Sequence, residues 1–221
     1  MTRKSLVVIL NVHLHDRPDL SFEAADSMVM DAVFWSGVQG YKERVAAIWQ
    51  NLCQQSRNVL KMSANVRLFT VVGAKATTGR CTAVESISMN EALLRRNLAR
   101  NGLSAVEVLQ AAVTPGDTAR DVALSIPSEG RGAPVGAHRV DDVEVSGRGT
   151  SEVITIRGLS FADLIAGRDL IKIDAEGIEF ELLRGSLPEL LAGGPTLLLE
   201  ILPETKNLDS SWLRSLTRVA T

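Results

Sequence analysis

Short apolar runs alternate with amphipathic stretches along most of this chain. The runs have the length of strands, and the stretches between them repeat apolar residues at helical spacings. Strands are predicted at 58–62, 81–85, 105–113, 152–157, 169–174 and 196–202, and helices at 66–75, 88–101, 160–166 and 179–192. This alternation indicates an α/β fold with a mainly parallel central sheet and helices on both faces. The last strand is largely apolar, which favours a central position.

The first 40 residues are less regular than the rest. An apolar run at 6–10 predicts a strand, and 22–35 predicts a weak helix. A clearer helix follows at 41–55. Its predicted core-facing stripe consists of Val45, Ile48, Trp49 and Leu52. We therefore divide the chain into an N-terminal strand and helix extension, 1–40, and a main domain, 41–221.

Two local signals bound the helix predicted at 88–101. Ser88 and Glu91 have the spacing of a capping box at its start. Gly102 has the position of a C-terminal cap at its end. Further along, 126–151 is rich in Gly, Pro and polar residues, which predicts a long loop or an irregular hairpin. This segment is either a lid over a substrate or a variable surface excursion.

Composition narrows the class of partner. The chain has 221 residues, 45% apolar and 23% charged, which suits one globular domain with a real core. The net charge of -2 and the absence of basic runs predict no nucleic-acid partner, and no stretch is long enough for a membrane span.

Cys53 and Cys81 form no C-x-x-C pair and no metal-ligand cluster, so we expect buried, reduced thiols, no metal and a cytoplasmic protein.

Ligands of parallel α/β sheets bind beyond the carboxyl ends of the strands, so residues there are the candidates for chemistry. After strand 58–62, the small residues Ser63, Ala64 and Asn65 would let a ligand approach the backbone and a helix N-terminus. Many turns between a strand and a helix are small and polar, so this segment by itself is also compatible with a purely structural role.

Two further strands end in acids. Glu85 follows Lys61 by 24 residues, a spacing at which a carboxylate accepts both hydroxyls of a ribose. Exposed glutamates are also common at strand ends. Asp174 and Glu176, with Gly177 to turn the chain, can orient a substrate hydroxyl or help to remove its proton. Glu176 can equally cap the following helix, near the positive end of its dipole.

Taken in order, these segments resemble the FkbM family of methyltransferases. The most specific part is LIKIDAEGIEFELLRG at 170–185, followed by TLLLEI at 196–201. The segments AVESISMNEALLRRNLARNGL at 83–103 and SANVRLFTVVGAKATTG at 63–79 are similar to the family's preceding motifs. The likeness covers roughly 38–202.

The resemblance implies a Rossmann-like class I methyltransferase fold, S-adenosylmethionine (SAM) as cofactor, and methyl transfer to a hydroxyl of a small molecule, often a sugar or a secondary metabolite. It places cofactor-binding roles on Ser63, Ala64 and Asn65 at the methionine end, on Glu85 and Ser86 at the ribose, and on Ala111 and Ala112 beside the adenine. The substrate-side, catalytic roles fall on Asp174 and Glu176.

The first motif departs from the family pattern. Lys61 stands where the family has an acid, Ser63 and Arg67 replace glycines, and Ser86 replaces a proline. The family's acid organises the loop around the ammonium of SAM, whereas a lysine has the opposite charge. Arg67 adds bulk where a glycine gives backbone freedom.

Three functions therefore compete. The first is an active SAM-dependent O-methyltransferase, in which alignment of hydroxyl, methyl carbon and sulfur matters more than a strong base. The second is a methyltransferase-like binding or scaffold protein without catalysis, which the altered first motif favours. The third, a nucleotide-dependent reductase, is opposed by the absence of a G-x-G-x-x-G motif.

Overall fold

The computed structural model of the chain describes residues 11–13, 17–23, 35, 42–63, 68–127, 138–139, 151–175 and 177–200. Its strands are β1 (Asn11–His13), β2 (Ser21–Glu23), β3 (Asn58–Met62), β4 (Arg80–Glu85), β5 (Glu107–Gln110), β6 (Ala112–Thr114), β7 (Val122–Pro127), β8 (His138–Arg139), β9 (Ser151–Ile156), β10 (Gly158–Ser160), β11 (Leu170–Ile173) and β12 (Thr196–Leu199). Its helices are α1 (Glu43–Gln54), α2 (Leu68–Ala76), α3 (Ser88–Arg100), α4 (Phe161–Ile165), α5 (Glu179–Gly185) and α6 (Leu187–Gly193).

The central sheet has five strands in the order β12-β11-β3-β4-β5, and all neighbouring pairs are parallel. The chain proceeds outward from β3 through β4 to β5, then returns to build β11 and β12 on the other side of β3. The direction of winding therefore reverses between β3 and β11, as in Rossmann-like doubly wound sheets. The predicted fold class is confirmed.

Successive side chains of the strands are buried in two separate hydrophobic layers, one on each face of the sheet. Val59 of β3 packs in one cluster with Trp49 of α1 and Leu94 of α3. Leu60, the next residue, packs in another cluster with Phe161 of α4 and further residues of α5. Successive side chains of a strand point to opposite faces, so this division shows helices covering both faces of the sheet.

Trp49 anchors the first layer. Its indole Nε1 donates a hydrogen bond to the carbonyl oxygen of Phe69 at 2.7 Å, and the ring lies against Gly73 of α2. The stripe predicted for this helix is wrong at Ile48, which is 52% exposed. The buried residues of α1 are Ala46, Trp49 and Cys53, whose spacing of three and four turns Ile48 toward solvent.

The described strands near the N-terminus contact the rest of the fold through α3. β1 and β2 form an antiparallel pair, so residues 21–23 are a strand and not the start of the predicted helix at 22–35. The side chain of Asn97 accepts a hydrogen bond from the Glu23 amide at 2.7 Å, and that of Asn101 accepts one from the Ser21 amide at 3.1 Å. Asn97 in α3 and Asn101 directly after it thus satisfy two backbone amides of β2.

The predicted strand at 105–113 is two strands. The Ala111 amide donates to the Glu85 carbonyl at 3.1 Å, but the Ala112 amide donates to the Arg157 carbonyl at 2.9 Å. The chain changes partner at this point, so β5 pairs with β4 whereas β6 pairs with β10.

The predicted loop or hairpin at 126–151 begins within an antiparallel sheet, in the order β8-β7-β9. Most of that segment lies outside the described residues, so its role as a lid or a surface excursion stays a prediction.

Other predicted boundaries need correction. No side-chain hydrogen bond caps α3, and Glu91 pairs with Arg95 instead of forming the predicted capping box. The predicted C-terminal cap is confirmed, because Gly102 has a φ of 70°. The predicted helix at 179–192 is two helices that meet at Ser186. Among the described residues β12 lies at an edge of the five-stranded sheet and is partly exposed, so its predicted central position is not confirmed.

Cys53 and Cys81 are free and buried, as predicted. In the described part of the chain, no helix combines the length and apolarity needed to cross a membrane.

Candidate functional site

The carboxyl ends of the parallel strands bring Lys61, Glu85 and Asp174 to one edge of the sheet, as predicted. Lys172 of β11 lies directly beside Lys61 of β3, since their Cα atoms are register partners. Glu200 follows the last residue of β12. Together with Lys42, which precedes α1, these residues form what we call the strand-end cluster: Lys42, Lys61, Glu85, Lys172, Asp174 and Glu200.

Lys61 is 2% exposed, although it carries an ammonium group. Its Nζ donates hydrogen bonds to the carbonyl oxygens of Met62 and, at 2.6 Å, of Ser63. Ser63 has a φ of 48°, so the backbone turns sharply where β3 ends. Burial, with the nearby charge of Lys172, lowers the pKa of Lys61 to about 7, against the opposing effect of the neighbouring carboxylates.

Lys172 is 1% exposed and lies at the centre of the cluster. Its Nζ is 3.5 Å from Oδ2 of Asp174 and 4.0 Å from Oε2 of Glu200. The same atom lies 4.6 Å from the ring centroid of Phe69, which is cation–π geometry. Two carboxylates and an aromatic face therefore compensate the burial of this ammonium.

Asp174 is half-buried and points into this positive environment. Burial raises the pKa of Asp174, but the neighbouring lysines, first of all Lys61, outweigh it and hold the pKa below its ordinary value. Asp174 is therefore ionised at neutral pH, and it suits the role of a fixed hydrogen-bond acceptor better than that of a strong base.

Glu200 links the start of α1 to the end of the sheet. One carboxylate oxygen pairs with Lys42, which has a φ of 53° just before α1, and the other faces Lys172. The partners Lys42 and Glu200 are 158 residues apart in sequence. This pairing fixes the edge of the cluster on the β12 side.

Glu85 ends β4 and is 4% exposed. Its Oε1 accepts a hydrogen bond from the amide of Ile87 at 2.9 Å, at the start of α3. The neighbouring Ser86 is half-buried. Ala111 and Ala112 are buried as well, but their side chains pack into two different core clusters. A ligand beside them would therefore meet the backbone around β5 and β6 more than these methyl groups.

The loop after β11 is held by a residue that the sequence reasoning did not single out. The carboxylate of Glu179 accepts hydrogen bonds from the Ala175 amide at 2.7 Å and from the Gly177 amide at 3.1 Å. Gly177 has a φ of 111°, a conformation that favours glycine. Glu179 thus holds the loop that precedes α5, whereas the capping role considered for Glu176 stays a prediction, because Glu176 lies outside the described residues.

Four of the residues considered in the sequence lie outside the described part of the chain: Ala64, Asn65, Arg67 and Glu176. Ser63 is described, and its carbonyl faces Lys61. Among the described residues, no three His, Cys, Asp or Glu side chains are grouped to hold a metal ion.

Sequence reasoning missed Lys42, Lys172 and Glu200. The strand-end rule did not select Glu200, because the strand was predicted to continue to residue 202, whereas β12 ends at Leu199. Lys172 has a weaker signal, a lone cation inside the apolar run of β11. Lys42 has no signal in the sequence, because its role depends on where α1 begins relative to β12.

No protein-family model and no curated protein sequence matches the chain. Several solved structures are similar to it. One is precorrin-6y C5,15-methyltransferase from Geobacter metallireducens GS-15, with 14% identity, coverage of 80% of this chain and 72% of that chain, and a TM-score of 0.46.

A second is an O-methyltransferase from Bacillus cereus in complex with SAH, with 15% identity, coverage of 80% of this chain and 68% of that chain, and a TM-score of 0.41. A third is a Pyrococcus abyssi tRNA (uracil-54, C5)-methyltransferase in complex with S-adenosyl-L-homocysteine. It has 14% identity, coverage of 88% of this chain and 37% of that chain, and a TM-score of 0.43. Identities and TM-scores of this size do not transfer an activity or a cofactor to this chain.

Proposed function

We propose that the chain is a SAM-dependent methyltransferase that methylates a hydroxyl group of a small molecule, such as a sugar or a secondary metabolite. The observation that carries this proposal is the strand-end cluster. It places charged side chains around the point where the winding of a Rossmann-like sheet reverses, which is where such sheets bind nucleotide cofactors.

The residues present fit the nucleoside half of SAM. Glu85 stands at the carboxyl end of the strand next to β3, where a carboxylate can accept the hydroxyls of a ribose. The Ala111 amide donates to the backbone carbonyl of Glu85, so an adenine beside Ala111 would be a neighbour of a ribose held by the Glu85 carboxylate. Around the methionine half of SAM, Asp174 and Glu200 would attract the positive charge of the ligand. The positive charge of Lys61 would repel it.

SAM, when bound, supplies an electrophilic methyl group on its sulfonium. The protein then has to orient the acceptor hydroxyl and to exclude water. Asp174 is suited to the first task, because its ionised carboxylate accepts a hydrogen bond and Lys172 fixes its position. Glu179 holds the loop that follows Asp174, which keeps this acceptor at the end of β11.

Two free, buried thiols, Cys53 and Cys81, support a reducing compartment, and we place the protein in the cytoplasm as part of this proposal.

Isothermal titration calorimetry with SAM, and with S-adenosylhomocysteine (SAH) alongside, tests the proposal. We expect both ligands to bind the wild-type protein, and Glu85→Ala to weaken both. If neither ligand binds between about pH 6 and about pH 9, the proposal is wrong.

One observation favours a second candidate, a methyltransferase-like binding protein without catalysis. The Lys61 ammonium occupies the carbonyl oxygens of Met62 and Ser63 at the end of β3, where a ligand cation would otherwise find acceptors. The same titration separates the two candidates. Binding of SAM favours the enzyme, and binding of neither ligand by a folded protein favours the binding protein.

A further inference from the structure

Lys61 holds its position through contacts that do not require its charge. Its Nζ donates to the carbonyl oxygens of Met62 and Ser63, and a neutral amine still has two hydrogens with which to make both bonds. The side chain is almost completely buried, so it cannot carry its charge into water without leaving this place. Loss of one proton would therefore change the charge of the site and leave its hydrogen bonds intact.

Among the described residues, the charged groups around Lys61 come from several neighbouring elements. Lys172 belongs to β11 and Asp174 directly follows it, Glu85 ends β4, and Glu200 follows β12. Lys42, just before α1, acts on Asp174 and pairs with Glu200. Within the described part of the chain, three ammonium groups and three carboxylates meet in the strand-end cluster, whose formal net charge is therefore zero. When Lys61 is neutral, the cluster carries one net negative charge.

SAM carries one net positive charge, because its sulfonium and ammonium exceed its carboxylate by one. SAH lacks the sulfonium charge and is net neutral, and 5′-methylthioadenosine has no charged group. A cation that enters a largely buried, neutral site has no net counter-charge there, whereas the same cation entering the deprotonated site restores neutrality.

We propose that the binding of SAM at this edge releases the proton of Lys61, so that Lys61 tunes the site to the charge of its ligand. This inference rests on the proposed function. The lowered pKa of Lys61, about 7, supports it, since the proton is then lost near neutral pH at little cost. A lysine is charged below its pKa and neutral above it, so SAM affinity rises as the pH increases through about 7.

Calorimetric titrations in pairs of buffers with different ionisation enthalpies measure the protons released. For the wild-type protein we expect SAM affinity to increase about tenfold between about pH 6 and about pH 8, with release of roughly half a proton near pH 7. 5′-Methylthioadenosine should show no such dependence, and SAH a weaker one than SAM. This ligand series works on the wild-type protein, so it does not depend on the folding of any variant.

Lys61→Met removes the titrating group and keeps the length of the side chain. We expect this variant to bind SAM with nearly the same affinity at both pH values, and more tightly than the wild type at about pH 6. The α-amino group of SAM itself titrates near pH 8, so any proton release that persists in Lys61→Met belongs to the ligand. Lys75→Met is the matched control, because Lys75 pairs with Asp19 away from the cluster, and it should keep the wild-type proton release.

SAM binding that is independent of pH, or a pH dependence unchanged in Lys61→Met, would overturn the inference and leave the proposed function standing. Binding of 5′-methylthioadenosine without SAM at every pH would overturn it as well, since the neutral amine would then fail to admit the cation. If no nucleoside binds at any pH, the proposed function fails first and the inference falls with it.

Discussion

Lys61 and Lys172 are register partners on adjacent parallel strands, and both side chains are buried. Two like charges so placed are unfavourable unless opposite charges lie close by, since burial weakens the screening by water. Asp174 and Glu200 provide those charges on the Lys172 side. The arrangement makes the stability of this edge depend on the cluster as a whole.

Lys172→Met should destabilise the protein by about 1–3 kcal/mol, because it leaves Asp174 and Glu200 without their central partner. These carboxylates are partly exposed, so the loss stays below that of a fully buried pair. Urea unfolding measures the difference. Lys75→Met, which removes an ion pair of 4.0 Å at the surface, should change the stability by no more than about 0.5 kcal/mol. Equal effects of the two substitutions would contradict the central role of Lys172.

The pKa of Lys61 predicts how stability varies with pH. Its pKa is about 7 in the folded protein and 10.5 for the unperturbed group, so between these values the unfolded chain binds more protons. The unfolding free energy contributed by Lys61 therefore rises as the pH increases from about 7 toward 10.5, and it is constant below about 7. The slope is at most about 1.4 kcal/mol per pH unit.

Urea unfolding at about pH 7, 8 and 9, compared between the wild type and Lys61→Met, measures this contribution. The wild type should gain stability relative to the variant as the pH rises. Parallel curves for the two proteins would show that Lys61 keeps its ordinary pKa in the folded state.

Glu85→Ala should weaken SAM binding by about 1–3 kcal/mol, the usual cost of losing hydrogen bonds to a charged group. The matched control is Glu85→Gln, which keeps an oxygen that can accept from the Ile87 amide but loses the charge and one acceptor. We expect an intermediate affinity for this variant in calorimetry. An affinity unchanged in both folded variants would remove Glu85 from the cofactor site.

Gly73→Ala tests the close packing of α2 on α1. A Cβ at this position would lie 2.7 Å from Nε1 of Trp49, which is held by its bond to Phe69. We expect a loss of about 1–3 kcal/mol in unfolding free energy, because the indole has to move. Gly193→Ala, in α6, is the control, since its Cβ would be 3.7 Å from the nearest atom. A loss no larger than that of the control would show that Trp49 adapts freely.

The parallel sheet and its edge could be predicted from the sequence because both depend on local patterns. The apolar runs identify β3, β4 and β11, and the parallel arrangement then brings Lys61, Glu85 and Asp174 together. Features that depend on contacts between distant elements could not be predicted in this way. The division between β5 and β6 follows from the partner that the Ala112 amide finds, and nothing in the run AVEVLQAAV indicates it.

The capping box at Ser88 failed for a similar reason. The sequence has the right residues at the right spacing, but Glu91 pairs with Arg95. The Glu85 carboxylate accepts a hydrogen bond from the amide of Ile87, directly before the helix. Competition from the end of β4 is a tertiary effect, which a local motif does not contain.

The pairing of Lys42 with Glu200 sets a limit on when the site can assemble. A contact that closes 158 residues of chain carries a large entropic cost of loop closure, which only the completed sheet can offset. Non-local contacts of this kind are associated with slow folding. During synthesis, moreover, no nascent chain can form the β12 side of the site until Glu200 has left the ribosome. The Lys42–Glu200 ion pair, and with it the complete strand-end cluster, therefore forms only once the last strand of the described sheet is present.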